Sequence, residues 1–108
     1  MMVPTGKYLG VSAGTAEGFL VTVDELGSPE RKDQKMVLFS ENLSPNLVTY
    51  FDRIQGILSH NGGLLSHLAI LARERRLPVM VHFVPNAKFP LGAQVRFDAS
   101  QGTLSRIQ

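Results

Sequence analysis

The sequence has no cysteine. That absence excludes a disulfide framework, a thiolate metal site and a cysteine nucleophile, and it fits a reducing compartment. No apolar run approaches the roughly 18 residues of a membrane span, so no membrane partner is expected. The opening residues MMVPTGKYLG lack the continuous apolar stretch of a signal peptide, which makes a cytoplasmic location the expectation. Charge is sparse and nearly balanced: eleven Lys and Arg against nine Asp and Glu leave a net charge of +2. The one tight basic cluster, Arg73, Arg75 and Arg76, is interrupted by Glu74. No RNP-like aromatic pattern or zinc-finger spacing accompanies it, so no nucleic-acid partner is expected and a solvated helix end accounts for it.

What remains is an ordinary globular composition, with 44% hydrophobic residues in 108, and folding is expected to bury roughly 65% of the extended-chain surface. A single domain over residues 1–108 is the natural reading. Four glycines punctuate two short runs rich in β-branched residues from Gly6 to Val23, the pattern of strand, tight loop, strand, with the second strand at Gly18 to Val23. The polar segment Asp24 to Lys35, with Gly27 and Pro29, is expected to be an exposed loop, and Met36 to Phe39 a short strand. Ser44-Pro45 signals a helix start, the Ser hydroxyl accepting a bond from an orphan N–H and Pro sitting where no donor is needed. That helix runs to about Arg53 and presents Leu47, Val48, Phe51 and Ile54 on one face. Gly56 ends it and Ile57-Leu58 begin a buried strand.

His60 to Gly63 reads as a loop, after which Ser66 offers an N-cap to a helix from His67 to about Arg76, stopped by Pro78. Leu68, Leu71, Ala72 and Arg75 make its stripe. Strands follow at Val79 to Val84, Ala93 to Phe97 and Thr103 to Ile107. Strands alternating with two central helices give an α/β arrangement with some parallel pairing and antiparallel flanks.

The stretch Gly62 to Arg73, GGLLSHLAILAR, carries the most chemistry. Two glycines allow a close backbone turn, a Ser caps the helix, and His67 stands in its first turn, where main-chain N–H groups are free and the helix dipole is positive. A neutral imidazole there can attack phosphorus, and the helix terminus and Ser66 would meet the charge of the phosphohistidine formed. Pattern alone leaves open a plain surface or capping histidine.

These residues resemble the swivelling phosphohistidine domain of phosphoenolpyruvate-utilising enzymes, a family that includes phosphoenolpyruvate synthase, pyruvate phosphate dikinase and rifamycin phosphotransferase. The likeness extends over nearly the whole chain: Leu9 to Gly14 with Gly18 looks like the family's entry, Met36-Val37-Leu38 with Ser44-Pro45 like its strand and helix start, and Gly56-Ile57 leads to the signature. The resemblance implies a three-layer β/β/α fold and a phosphoryl carrier. His67 matches the histidine that is phosphorylated, while Gly62, Gly63, Ser66 and Arg73 match its phosphate-binding or supporting neighbours. It implies a dikinase-type phosphotransferase component without turnover of its own, which binds no cofactor itself. Its partners would be an ATP-grasp nucleotide-binding domain holding ATP and Mg2+, and a domain binding phosphoenolpyruvate, pyruvate or another acceptor, in the same chain or in trans.

Two positions depart from the family. Leu65 removes a hydroxyl that many members have near the phosphoryl group, and Leu68 is expected to add bulk beside His67. Both would suit a rival reading, a regulatory or binding module that keeps the fold without phosphoryl transfer. His60 is expected to be a solvated loop residue and His82 one polar position on an alternating strand. Neither makes a metal site with His67, since no carboxylate sits at a helpful spacing. Met36 and Met80 read as core filling.

Overall fold

A computed structural model describes residues 7–107; Gly6, at the start of the expected strand–loop–strand stretch, lies outside them. Among the described residues one mixed sheet contains β1 (Leu9–Ser12), β2 (Thr15–Val21), β3 (Met36–Ser40), β4 (Gly56–Ser59), β5 (Val79–Val81), β6 (Gln94–Asp98) and β7 (Thr103–Arg106). Their spatial order is β1-β5-β4-β3-β2-β6-β7. Strands β2 to β5 pair in parallel, while β1 runs antiparallel to β5, β6 to β2 and β7 to β6. The central strands are apolar on consecutive residues, as in Met36-Val37-Leu38 and Val79-Met80-Val81, because both faces of a parallel sheet are covered.

The three parallel crossovers carry the helical segments. Helix α1 (Val23–Leu26) and a 3-10 turn at Pro29–Arg31 join β2 to β3, a 3-10 helix at Pro45–Arg53 joins β3 to β4, and helix α2 (His67–Arg75) joins β4 to β5. Helix α1, the longer 3-10 helix and α2 pack on one face. There Val11, Leu38, Ile57, Val79 and Val81 from the sheet meet Leu47 and Phe51 from the 3-10 helix and Leu68, Ala69 and Ala72 from α2. Alternate residues of the same strands, Leu20, Val37, Leu58 and Met80, face the other way, toward Phe83, Phe89, Val95 and Phe97. This is the period of two expected of strands.

That second core exists because the sheet doubles over on itself. Strands β1 and β6 stand near opposite ends of the strand order, yet the Tyr8 N–H donates to the Gly102 carbonyl at 3.2 Å. A Cβ placed on Gly10 would lie 1.8 Å from the Ala99 carbonyl oxygen. Only glycine permits that approach. The expected β/β/α layering is thus realised as one curled sheet supplying two layers, with the helical layer outside it.

Several local expectations are corrected. The segment 24–35 is not all loop: it contains α1 and a 3-10 turn, and Leu26 is buried. The helix after Pro45 is 3-10, with Thr49 Oγ1 bonding the Asn46 carbonyl three residues back. Its Ser44 hydroxyl donates to the Asn46 side chain and caps no N–H. The strand at 79 ends at Val81, because His82 adopts a left-handed φ of 73°. His82 is therefore exposed on a turn that swings Phe83 into the inner core. Met36 and Met80 are core residues as expected. No helix among the described residues is long and apolar enough to cross a membrane.

Candidate functional site

The chain leaves β4 at the carboxyl edge of the parallel strands, the edge where open α/β sheets hold their ligands. Ser59, fully buried, donates through Oγ to the Asn61 carbonyl at 2.8 Å. The His60 N–H donates to the Ser40 carbonyl, the Asn61 N–H to the Glu41 carbonyl at 3.0 Å, and Asn61 Nδ2 to Asn42 Oδ1 at 3.1 Å. The loop is thereby pinned to the exit of β3. At Gly62 φ is +140°, and an added Cβ would stand 2.5 Å from Leu43 Cδ1. This glycine is required by conformation and by space. A Cβ on Gly63 would meet nothing within 4 Å, so the second glycine lies open.

The expected cap on α2 is present. The Ser66 N–H closes a turn onto the Gly63 carbonyl, and Ser66 Oγ accepts from the Ala69 N–H at 3.2 Å. His67 is the first helical residue and is exposed. The main-chain N–H groups of His67 and Leu68 have no acceptor among the described residues. Two free donors at a positive helix end form a site for an anion attached to the imidazole.

Arg73 is placed differently from a phosphate ligand. Its Nη1 donates to the Val11 carbonyl at 2.7 Å and its Nη2 to the Leu64 carbonyl at 2.8 Å, so the guanidinium ties β1 to the loop before α2. Beyond it the helix stops in a left-handed Arg76, φ 58°, with the Leu77 N–H bonded to the Ala72 carbonyl at 2.9 Å, the Schellman arrangement. Pro78 follows as expected. Arg75, in line by spacing with Leu68, Leu71 and Ala72, is exposed, as a solvated helix end should be, and stands 3.9 Å from Asp52 and 5.9 Å from the centre of the Phe51 ring. Ala69 lies in the core.

Leu68 does not crowd His67. Its side chain is fully buried among the residues beneath α2, since adjacent residues on a helix point about 100° apart. Leu65 is the opposite case, 89% exposed, and with Leu64 and Ile70, also exposed, it surrounds the histidine with apolar surface in sequence. Residue spacing gives no sign of this rim, because leucines in a loop follow no period. His60 is exposed, with Nδ1 3.3 Å from Glu41 Oε1, and no three metal-ligating side chains cluster among the described residues.

Residues 32–102 match the family model described as PEP-utilising enzyme, mobile domain. The chain belongs to this family. Over 97 residues the mobile domain is 29% identical to a probable phosphoenolpyruvate synthase of Pyrococcus horikoshii, covering 89% of this chain and 12% of that protein. Over 103 residues it is 29% identical to rifampicin phosphotransferase of Bacillus subtilis, covering 93% of this chain and 12% of that protein. It therefore spans about an eighth of the length of these relatives. Among solved structures it is similar to the N-terminal domain of Enzyme 1 - Nitrogen, with a TM-score of 0.60 and 21% identity over 77% of this chain and 34% of that one. This likeness bears on the fold of the mobile domain and agrees with the curled α/β sheet.

Proposed function

We propose that this mobile domain carries a phosphoryl group on His67 between two partner sites. A ring nitrogen of His67 attacks the phosphorus of a donor, a nucleotide or phosphoenolpyruvate, and the bond from phosphorus to the donor's leaving oxygen breaks. At the second site the phosphorus–nitrogen bond breaks and an acceptor oxygen takes the phosphoryl group. The observation that carries this reading is an exposed histidine at the first position of α2 beside two unpaired N–H donors.

Magnitudes divide the labour. A helix terminus stabilises an anion by about 0.3–1 kcal/mol when exposed and up to about 2 kcal/mol when partly buried. That suffices to hold a phosphohistidine and falls far short of the barrier lowering that enzymes supply, about 8 kcal/mol or more. Phosphoryl transfer draws that from positioning and from metal and cationic groups around the phosphate. Those groups are assigned to an ATP-grasp domain holding ATP and Mg2+ and to an acceptor domain, with Leu64, Leu65 and Ile70 as the apolar rim on which either docks.

The test is phosphorylation of the chain by the rest of its enzyme with ATP or phosphoenolpyruvate. The expected label on His67 survives base and is lost in acid, because a phosphoramidate leaves once its nitrogen is protonated. It is absent in His67→Ala and persists in His60→Ala and His82→Ala. Steady donor consumption by the chain alone would contradict a carrier. An unlabelled wild type beside an active partner would support the binding-module reading, with Leu65 as the first residue to revert.

A further inference from the structure

We infer that Arg73 is a positioning residue whose fork, by gripping the carbonyl oxygens of Leu64 and Val11, sets the turn that presents His67. The inference rests on the carrier reading for its consequence but stands on separate geometry. Arg73 lies six residues beyond His67, about 9 Å along the helix and on a different side. Helical side chains lean toward the N-terminus, and this one runs back to the loop that its own helix follows. There Nη2 holds the Leu64 carbonyl at 2.8 Å while Nη1 holds the Val11 carbonyl of β1 at 2.7 Å.

The residues between Leu64 and α2 have little else to fix them. Leu64 and Leu65 are 50% and 89% exposed and belong to neither core, Gly63 is sterically open, and among the described residues the turn is closed by one bond, from the Ser66 N–H to the Gly63 carbonyl at 3.2 Å. Gly62 is held against Leu43 on one side and Ser66 is held by its cap on the other. Among the described residues Arg73 supplies the one side-chain hydrogen bond in the span between them. A planar guanidinium can donate to two fixed acceptors at once, whereas an ammonium is a point charge on a flexible stem. The requirement is thus for the fork and not for the charge. A displaced turn would move the imidazole relative to the free N–H groups of His67 and Leu68, and misplacements of about 1 Å cost on the order of a hundredfold in transfer reactions.

Arg73→Lys and Arg73→Ala, compared with wild type, separate this role from direct phosphate contact. Amide hydrogen exchange on the unphosphorylated chain should show faster exchange in both variants at Ser66 and Ala69, whose N–H groups are bonded to the Gly63 carbonyl and to Ser66 Oγ, with Val79–Val81 protected as in wild type. The second measurement uses potassium phosphoramidate, a small donor that labels histidines without a partner, followed by phosphorus NMR. In wild type the phosphoryl group on His67 should outlast those on the exposed His60 and His82. That advantage should shrink about tenfold in both variants, with Lys no better than Ala. A lysine that restores the wild-type lifetime would overturn the inference, since charge alone would then suffice. Unchanged exchange at Ser66 and Ala69 in both variants would overturn it too. Failure of the carrier reading is distinguishable, because wild-type His67 would then hold its label no longer than His60 or His82 while the exchange result still decides the grip of Arg73. Should Arg73→Ala lose protection at Val79–Val81 as well, Arg73→Lys decides alone.

Discussion

On the inner face of the curled sheet Phe83 is fully buried and its ring meets those of Tyr8, Phe39 and Phe89 at 5.9 to 6.4 Å, whereas on the outer face α2 is seated through Leu68, Ala69 and Ala72. Large rings from distant parts of the chain fill the inside of the curl and hold its ends together. Small residues under α2 let the helix lie close on the sheet, so that its first turn emerges at the strand edge with His67 outward. The inner face therefore closes the curl, while the outer face also sets the direction of His67, an exposed side chain that itself contributes little to stability.

The sharpest break of that comparison is Phe83→Ala, expected to cost about 3–5 kcal/mol through lost burial and an unfilled cavity. Denaturant unfolding would measure it, and phosphorylation per folded molecule should be unchanged. His67→Ala is the mirror case: loss of all label with stability within about 0.5 kcal/mol of wild type. If Phe83→Ala also erased labelling in the folded fraction, the two faces would not be separable.

Next in size is the contrast between the two glycines. Gly62→Ala must take a φ of +140° and collide with Leu43, at a cost of about 1–3 kcal/mol for the backbone conformation alone. Gly63→Ala, with open space around it, should stay within about 0.5 kcal/mol. Thermal unfolding of the pair checks this, and equal losses would mean that the loop is not pinned at Gly62.

Ser66→Ala removes the cap on Ala69 and should cost about 1 kcal/mol, small beside Phe83 yet placed where phosphohistidine lifetime should also fall. A lifetime equal to wild type would show that the hydroxyl serves the helix alone.

The smallest effect concerns Tyr8, on the inner face, whose phenol is pushed above its ordinary value of 10.0 by burial. Its neutral form is favoured in the folded state, so its contribution is fully present below about pH 10 and is lost as pH rises through the folded value, the unfolded chain releasing its proton first. Stability should decline across that window, and Tyr8→Phe should flatten the decline. An unaltered slope would place the alkaline sensitivity elsewhere.

Local chemistry made much of this legible in the chain alone. Ser66 three residues before an amide that needs an acceptor, Pro78 after a helix, and consecutive apolar residues at 36–38 and 79–81 each act through their nearest neighbours, so their consequences were readable without tertiary structure. So was His67 at a helix start, the position that defines the candidate site. What escaped depends on residues far apart in sequence. Spacing put Leu68 and Ala72 on one stripe, and both are buried, but it left out Ala69, because which side of α2 faces the sheet is decided by where β1, β4 and β5 lie. His82 looked like a strand residue because alternation carries no mark of a left-handed turn, which the inward pull of Phe83 imposes. The hold of Arg73 on Val11, 62 residues away, and the closing of Gly10 on Ala99 arise only once the sheet curls. Composition and local pattern thus set the elements and the place of His67 at the start of α2. Long-range packing alone settled how that histidine is held, because a backbone carbonyl becomes a partner only when the fold brings it within hydrogen-bonding distance.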